Sequence, residues 1–300
     1  MSKIIVTGGC GFIGSHLVDA LIERGDEVLV IDNLSTGKKE NLNPKAKFHQ
    51  IDLRNLESIK PLFKGVDFVF HLAARPRIPL SIKDPISAHE NNLTVTLNVL
   101  VAAKDAKVKK VIYASSSSIY GLQKELPLRE DMRPQPLNPY ALQKYGGELY
   151  CKIFSELYEL PTVSLRYFNV FGPRLPQEGA YALALGIFLR QKKEGKPLTI
   201  CGDGSQTRDF TYVKDVVKAN LLAAQNPVGK GEIVNIGTGQ SFSINNLAKL
   251  IGGKTINLPP RPGEVKHTLA DVSKAKKLLG WQPKYNLETG LREMMKIDEA

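Results

Sequence analysis

Tyr140 and Lys144 stand four residues apart. On a helix that spacing puts a phenol and an ammonium on one face, about 6 Å apart at the Cβ atoms. An unperturbed tyrosine has a pKa of about 10. A neighbouring ammonium favours the phenolate, and a positively charged nicotinamide favours it further, so the pair can supply a general base near neutral pH. The same pair also occurs as an ordinary half-solvated helix face with no chemistry. Upstream, the hydroxyls Ser115, Ser116, Ser117 and Ser118 follow the apolar run Val108–Ala114. Beyond the carboxyl end of a parallel strand they meet a ligand; elsewhere serines form turns. A third candidate is Thr7-Gly8-Gly9-Cys10-Gly11-Phe12-Ile13-Gly14, set between an apolar run and a helical pattern. Such glycines let the backbone approach a pyrophosphate, which the N–H groups of the following helix then bind. The bare alternative is a strand–helix turn that needs positive φ. Asp32 ends the second apolar run, about 20 residues on, where a carboxylate accepts from an adenosine ribose and repels a 2′-phosphate. This favours NAD over NADP. Asp52, followed by Leu53, either caps the adenine or forms a turn.

These residues need elements to hold them. Ile4–Val6, Glu27–Ile31, Lys47–Ile51, Asp67–Leu72, Val108–Ala114 and Thr162–Tyr167 read as strands. Phe12–Arg24, Asn55–Phe63, Asn91–Ala106 and Tyr140–Leu157 read as helices. The alternation predicts an α/β fold, a doubly wound parallel sheet of the Rossmann type with right-handed crossovers. After Phe171 the rhythm changes. A helix is expected from about Tyr181 to Glu194, and Pro197, Gly202, Asp203 and Gly204 then break the chain. We read residues 1–171 as a cofactor-binding domain with a returning strand near 231–237, and 172–300 as mainly a smaller α/β substrate lobe.

Composition bounds the class. The 300 residues carry 41 Lys and Arg against 30 Asp and Glu, a net charge of +11, with 42% hydrophobic and 24% charged residues. That is an ordinary globule rather than a disordered chain. The longest apolar stretch, Ala180–Leu189, is half of the ~20 residues a membrane span needs. No secretory leader is expected before the first strand. Cys10, Cys151 and Cys201 are odd in number and far apart, which argues against a disulfide framework or a zinc site and for a reducing, cytoplasmic setting. The five histidines show no ligand spacing, so no metal is expected. Positive charge alone allows nucleic acid, an anionic metabolite or plain lysine richness. The lysines are scattered and no nucleic-acid motif is present, so neither nucleic acid nor membrane is expected as a partner.

Further motifs accompany the glycine loop, Ser116, Tyr140 and Lys144: His71-Leu72-Ala73-Ala74, Asn91-Asn92, Ser118–Gly121, Arg166–Arg174, Gly202–Phe210, Arg261–Glu264 and Ala270–Ala275. Together they resemble the extended short-chain dehydrogenases, the NAD-dependent sugar-nucleotide epimerases and dehydratases, over nearly the whole chain. The resemblance implies Ser116, Tyr140 and Lys144 as catalytic residues. It implies cofactor contacts from Gly8, Gly11, Phe12, Ile13, Gly14, Asp32, Asn33, Asp52 and Leu53. Leu72, Ala73, Ala74, Asn92, Ser115, Tyr140, Lys144 and Tyr167 complete the implied NAD site. Ser116, Ser117, Tyr140, Asn169, Arg208, Arg261, Glu264 and Thr268 are implied for the substrate, a UDP-sugar.

In the family's 4,6-dehydratases the two positions after the catalytic Ser or Thr are Asp and Glu, and in its UDP-glucuronate decarboxylases the second is Glu. Here they are Ser117 and Ser118, which exchange no protons near pH 7. The implied reaction is therefore 4-epimerisation of a UDP-hexose. Tyr140 takes the proton of the 4-hydroxyl while hydride passes from C4 to NAD⁺. Ser116 bonds the same oxygen, and Lys144 holds the cofactor ribose. The 4-keto sugar turns and the hydride returns to its other face. Thr268, where some members place a bulky Tyr, leaves room for an N-acetyl group, and Ser81–Pro85 resembles members that accept N-acetylated sugars. Arg75 and Arg77 suit an acidic sugar instead, but the arginine-containing stretch of UDP-glucuronate 4-epimerases is replaced by Leu175–Glu178. A keto-sugar reductase and a non-catalytic dinucleotide sensor are the alternatives. A homodimer through the helices Asn91–Ala106 and Tyr140–Leu157 is implied as well.

Overall fold

The computed structural model describes residues 1–76, 78–177, 183–260 and 265–298. At its centre lies a seven-stranded sheet in which every pairing is parallel. Six strands come early: β1 (Lys3–Thr7), β2 (Glu27–Ile31), β3 (Lys47–His49), β4 (Phe68–His71), β5 (Lys110–Ser116) and β6 (Thr162–Tyr167). Four short strands follow, β7 (Val170–Phe171), β8 (Leu198–Cys201), β9 (Thr207–Arg208) and β10 (Thr211–Tyr212). The seventh sheet strand is β11 (Lys230–Ile236), after which come β12 (Phe242–Ser243) and β13 (Thr255–Leu258). The order across the sheet is β11-β6-β5-β4-β1-β2-β3. The chain winds outward from β1 in one direction and from β4 in the other. The carboxyl ends of β1 and β4 thus flank the switch point, where an open α/β sheet leaves a crevice for ligands.

Ile4, Ile5 and Val6 are fully buried, the continuous burial of a strand covered on both faces. One face is covered by α1 (Phe12–Glu23), whose Leu17, Val18 and Leu21 join Val216 and Ala219 in a common core. Behind the other face run α2 (Leu56–Ile59), α3 (Ile78–Lys83), α4 (Pro85–His89), α5 (Val95–Asp105) and α6 (Pro139–Leu157). There Val99 and Leu100 pack with Cys151 and Phe154. Later come α7 (Ala184–Lys193), α8 (Val213–Gln225), α9 (Ile244–Ile251), α10 (Ser273–Leu279) and α11 (Leu287–Asp298). Phe188, Leu198, Leu247 and Leu291 build a separate core beneath the second half of the chain.

Several boundaries differ from the sequence reading. The strand expected over Val108–Ala114 runs on to Ser116, because Ser115 and Ser116 pair with Arg166 and Tyr167 of β6. Pairing inside a sheet overrides the weak strand preference of serine. The helix expected over Asn55–Phe63 tightens to a 3₁₀ turn at Lys60–Phe63, where Pro61 has no N–H to continue the α pattern. The helix expected from Asn91 has a π-type stretch, Glu90–Thr94, before α5. Helices α3 and α4 were not anticipated; Asp84 caps α4 by accepting from the Ser87 N–H, with Pro85 in the first turn.

Candidate active site

A cavity of about 1070 Å³ opens along the carboxyl ends of β1, β4 and β5 and extends to β9. At one end lies the glycine loop. Gly8 has φ +72°, and a Cβ there would lie 2.8 Å from the Ala73 nitrogen. A Cβ on Gly14 would lie 2.1 Å from the Gly8 carbonyl oxygen. These positions exclude any side chain because α1, β1 and β4 converge there. Gly11 caps α1 without a capping side chain, while Phe12, Ile13 and Gly14 line the cavity. The first-turn N–H groups are thus left to an anion. Asp32 lines the same end, its oxygens accepting from Cys10 N (3.0 Å) and Leu34 N (2.8 Å). Burial pushes its pKa up against the pull of those donors. Asn33, Asp52 and Leu53 continue the wall. Arg54 grips Asp52 and reaches Glu90, holding the Asp52 carboxyl below the usual range. Leu72, Ala73, Ala74 and Tyr167 complete this end. An uncapped helix start, glycines with no room for Cβ and a carboxylate on the next strand together fit a dinucleotide.

At the middle of the cavity β5 meets α6. Ser115, Ser116, Ser117 and Ser118 all line it. The Ser118 N–H and hydroxyl both donate to Ser116 Oγ, at 3.2 and 2.9 Å. Helix α6 starts on Asn138, whose Oδ1 accepts from Ala141 N at 3.0 Å, with Pro139 in the first turn. This start places Tyr140 in the opening turn, where its N–H donates to Ser81 Oγ of α3 (3.2 Å). Burial pushes the pKa of the Tyr113 phenol in β5 well up, and the neighbouring Tyr140 adds to the rise. Lys144 follows one turn later, 3% exposed and behind the cavity wall. Its ammonium donates to the Ala114 carbonyl at 2.7 Å and lies 4.9 Å from the Tyr113 ring centroid. Burial pushes its pKa down to about 8, with Cys151 and Glu148 acting the other way.

Two residues hold this junction: Glu148, absent from the sequence reading, and Arg166, read there only as the start of a motif and given no role. Glu148 accepts from Ser115 Oγ (2.6 Å) and from Arg166 Nε and Nη2 (2.8 and 2.7 Å), both partners of the ion pair being 1% exposed. A signal for Glu148 existed: it extends the four-residue spacing of Tyr140 and Lys144 along one helix face. Nothing local marks Arg166 as its partner. Asn92 is 2% exposed and lies outside the lining, its Oδ1 accepting from Arg75 N at 2.7 Å; its neighbour Asn91 reaches the cavity instead. His71 is buried between Thr7 and Thr96, and burial pushes its pKa down to about 3. It is a neutral core histidine.

The far wall carries Asn169, Arg208 and Thr268. Asn169 Nδ2 donates to the Asp209 carbonyl (2.9 Å), and Arg208 Nη1 to the carbonyls of Thr207 and Lys266 (2.9 and 3.2 Å). Arg261 and Glu264 lie outside the described residues, as do Arg77, Glu178 and Tyr181. Among the described lining residues the carboxylates are Asp32 and Asp52, both at the glycine-loop end. Among the described residues no helix is long and apolar enough to cross a membrane. None of them gather as a three-residue His, Cys, Asp or Glu metal site.

Residues 4–237 match the model of the NAD dependent epimerase/dehydratase family. The chain belongs to that family. It superposes on the UDP-glucose 4-epimerase of Thermotoga maritima, solved with UDP-glucose, with a TM-score of 0.96 at 40% identity over 99% of this chain and 98% of the other. A UDP-N-acetylglucosamine 4-epimerase from Methanobrevibacter ruminantium, solved with UDP-N-acetylmuramic acid, gives 0.94 at 40% identity over 100% and 99%. A UDP-glucuronate 4-epimerase from Thermodesulfobacterium geofontis is 40% identical over 97% of this chain and 94% of its own. The relatives thus share 4-epimerisation of UDP-sugars and differ in the sugar.

Proposed function

We propose that the chain is an NAD-dependent UDP-hexose 4-epimerase acting on UDP-glucose and UDP-galactose, with space for N-acetylated hexoses. The observation that carries this reading is the make-up of the cavity's middle. Ser116, Ser117 and Ser118 line it together with Asn138, the cap of the helix that carries Tyr140 and Lys144, and the described lining beside them holds hydroxyls but no carboxylate. Elimination or decarboxylation calls for a further acid or base at that point; oxidation and reduction at one carbon do not. Gly8, Gly11, Phe12, Ile13, Gly14 and Asp32 would hold NAD⁺ at the glycine-loop end, where it would supply reversible hydride exchange with the sugar. Tyr140 removes the proton from the 4-hydroxyl and later returns one to the 4-keto oxygen. Ser116 donates a hydrogen bond to that oxygen, and the Lys144 ammonium favours the Tyr140 phenolate. Asn169, Arg208 and Thr268, with Arg261 and Glu264, bind the nucleoside diphosphate and the sugar.

A second reading, an acidic sugar, is favoured by Arg75, which lines the cavity with Nη1 anchored on Ser87 Oγ (2.7 Å). A planar guanidinium suits a carboxylate. The exposed Leu142, Leu149, Ile153 and Leu157 of α6 support a homodimer through that helix, and three free cysteines support a cytoplasmic setting. The deciding experiment incubates purified protein separately with UDP-galactose, UDP-N-acetylglucosamine and UDP-glucuronate, without added NAD. Conversion of UDP-galactose to its 4-epimer is expected. Conversion of UDP-glucuronate alone selects the second reading. No conversion of any of them, with or without NAD, refutes both, and stoichiometric consumption of NADH with a keto sugar marks a reductase.

A further inference from the structure

Asp209 lies beside Arg208 but points away from the cavity, and it is fully buried. Its carboxylate gathers four donors. Oδ1 accepts from the N–H and the hydroxyl of Thr238, both at 2.7 Å. Oδ2 accepts from Gly239 N at 3.0 Å and Ala270 N at 3.1 Å. A buried carboxylate is costly to desolvate, and donors fixed on the backbone offset that cost. Its surroundings leave no room for another arrangement: a Cβ on Gly237 would lie 2.9 Å from Asp209 Oδ2 and 2.4 Å from the Ala270 Cβ.

The main chain of the same residue reaches the substrate wall. The Asp209 carbonyl accepts from Asn169 Nδ2 at 2.9 Å, and its N–H donates to Thr268 Oγ1 at 3.4 Å. Arg208 precedes it in β9, whose Thr207 is bonded to the 266–268 segment through Thr207 N to Lys266 O and Thr268 N to Thr207 O. Asn169 has φ +26°, an unfavourable value for a residue with a side chain, so its amide bond to Asp209 fixes a conformation the backbone would not choose alone. Asn169 and Thr268 thus bond the main chain of one buried residue that Arg208 directly precedes, and that residue is anchored by its carboxylate group. That group is itself fixed to the turn after β11.

We propose that Asp209 is a positioning residue for nucleotide-sugar binding: its carboxylate holds Asn169, Arg208 and Thr268 in the geometry that receives the UDP portion of the substrate. The inference rests on the reading of those three residues as the nucleotide-sugar wall. Replacing the carboxylate by an amide keeps its shape but turns one oxygen into a donor, which leaves at least one backbone N–H, of Thr238 or of Gly239 and Ala270, facing another donor.

The test measures UDP binding by calorimetry, bound NAD per chain, and kcat and KM for whichever UDP-sugar the wild type converts. Asp209→Asn is expected to weaken UDP binding and raise KM about tenfold, with kcat within about threefold and bound NAD unchanged. Thr238→Val, which removes one of the four donors, is expected to weaken UDP binding about threefold, while Thr238→Ser, which keeps both donors, binds as wild type. UDP binding by Asp209→Asn and Thr238→Val equal to wild type overturns the proposal. So does a loss of kcat and bound NAD as large as the loss of UDP affinity, which marks a general disruption of the fold. If Asp209→Asn does not fold, the Thr238→Val and Thr238→Ser pair decides alone, and equal affinities overturn the proposal. A wild type that retains NAD but binds no UDP overturns the underlying reading of the wall, and the proposal with it.

Discussion

The two ends of the cavity are held by different physics. At the glycine loop the constraint is space: missing Cβ atoms let α1, β1 and β4 close on one another, and the clearance at Gly14 is 2.1 Å against main chain. At the far wall the constraint is hydrogen bonding: Asn169 and Thr268 bond the main chain of Asp209, whose carboxylate is in turn buried and held by four donors. The difference teaches what each end tolerates. A steric limit set by backbone admits no partial answer, because neither partner can swing aside. A wall set by several hydrogen bonds can be loosened one bond at a time, with graded effects on affinity.

The sharpest break comes at the steric end. Gly14→Ala drives a methyl group into the Gly8 carbonyl and is expected to destabilise the protein by ~4 kcal/mol or more, the range reserved for backbone conflict in a core. Urea unfolding reads this directly, and an unchanged midpoint contradicts the steric account of the loop. Between the two ends, Tyr140→Phe is expected to lower turnover by ~10³-fold, in the middle of the range for a lost general acid–base group. It leaves both bound NAD and UDP affinity at wild-type values. A loss of either binding places Tyr140 in the scaffold of one end instead.

The smallest effect is one of protonation. The folded state lowers the Lys144 pKa from 10.5 to about 8. Between those values the unfolded chain carries a proton that the native one has released, so the stability linked to this site rises with pH across that window. Thermal melts of cofactor-free protein should show wild type gaining on Lys144→Met from pH ~8 to ~10.5, and a flat difference removes the ammonium from its buried setting.

Legibility followed the same division. The glycine loop could be read because steric necessity leaves a residue-type mark at fixed spacing, and β1, β2 and β4 could be read because strands buried on both faces are largely apolar. Tyr140 and Lys144 were visible through helix spacing and the Ser115–Ser118 cluster through its place after an apolar run, while Ser116 was singled out from that cluster by the family resemblance. The groups that hold them in place were not. Glu148 and Arg166 are 18 residues apart and meet only once β6 is beside α6. Asp209 reads locally as one more acid after an arginine; its four donors come from Thr238, Gly239 and Ala270, which no local pattern connects to it. Asn91 and Asn92 sit side by side in sequence, and only the packing of the π-type stretch before α5 decides that the first reaches the cavity while the second holds Arg75.

Strand β11 has a consequence for how the molecule is made. Every residue of β6 is buried in the finished sheet, and one of its edges is paired solely by β11. During synthesis that edge stays open for more than 60 further residues of translation. If the first six strands pair before β11 is made, the sheet ends in a bare β6 edge, a template for pairing with a neighbouring chain. Translation that stops short of residue 236 yields a fragment with most of a cofactor site and a sticky edge, so premature termination here produces an aggregation hazard rather than a small working domain.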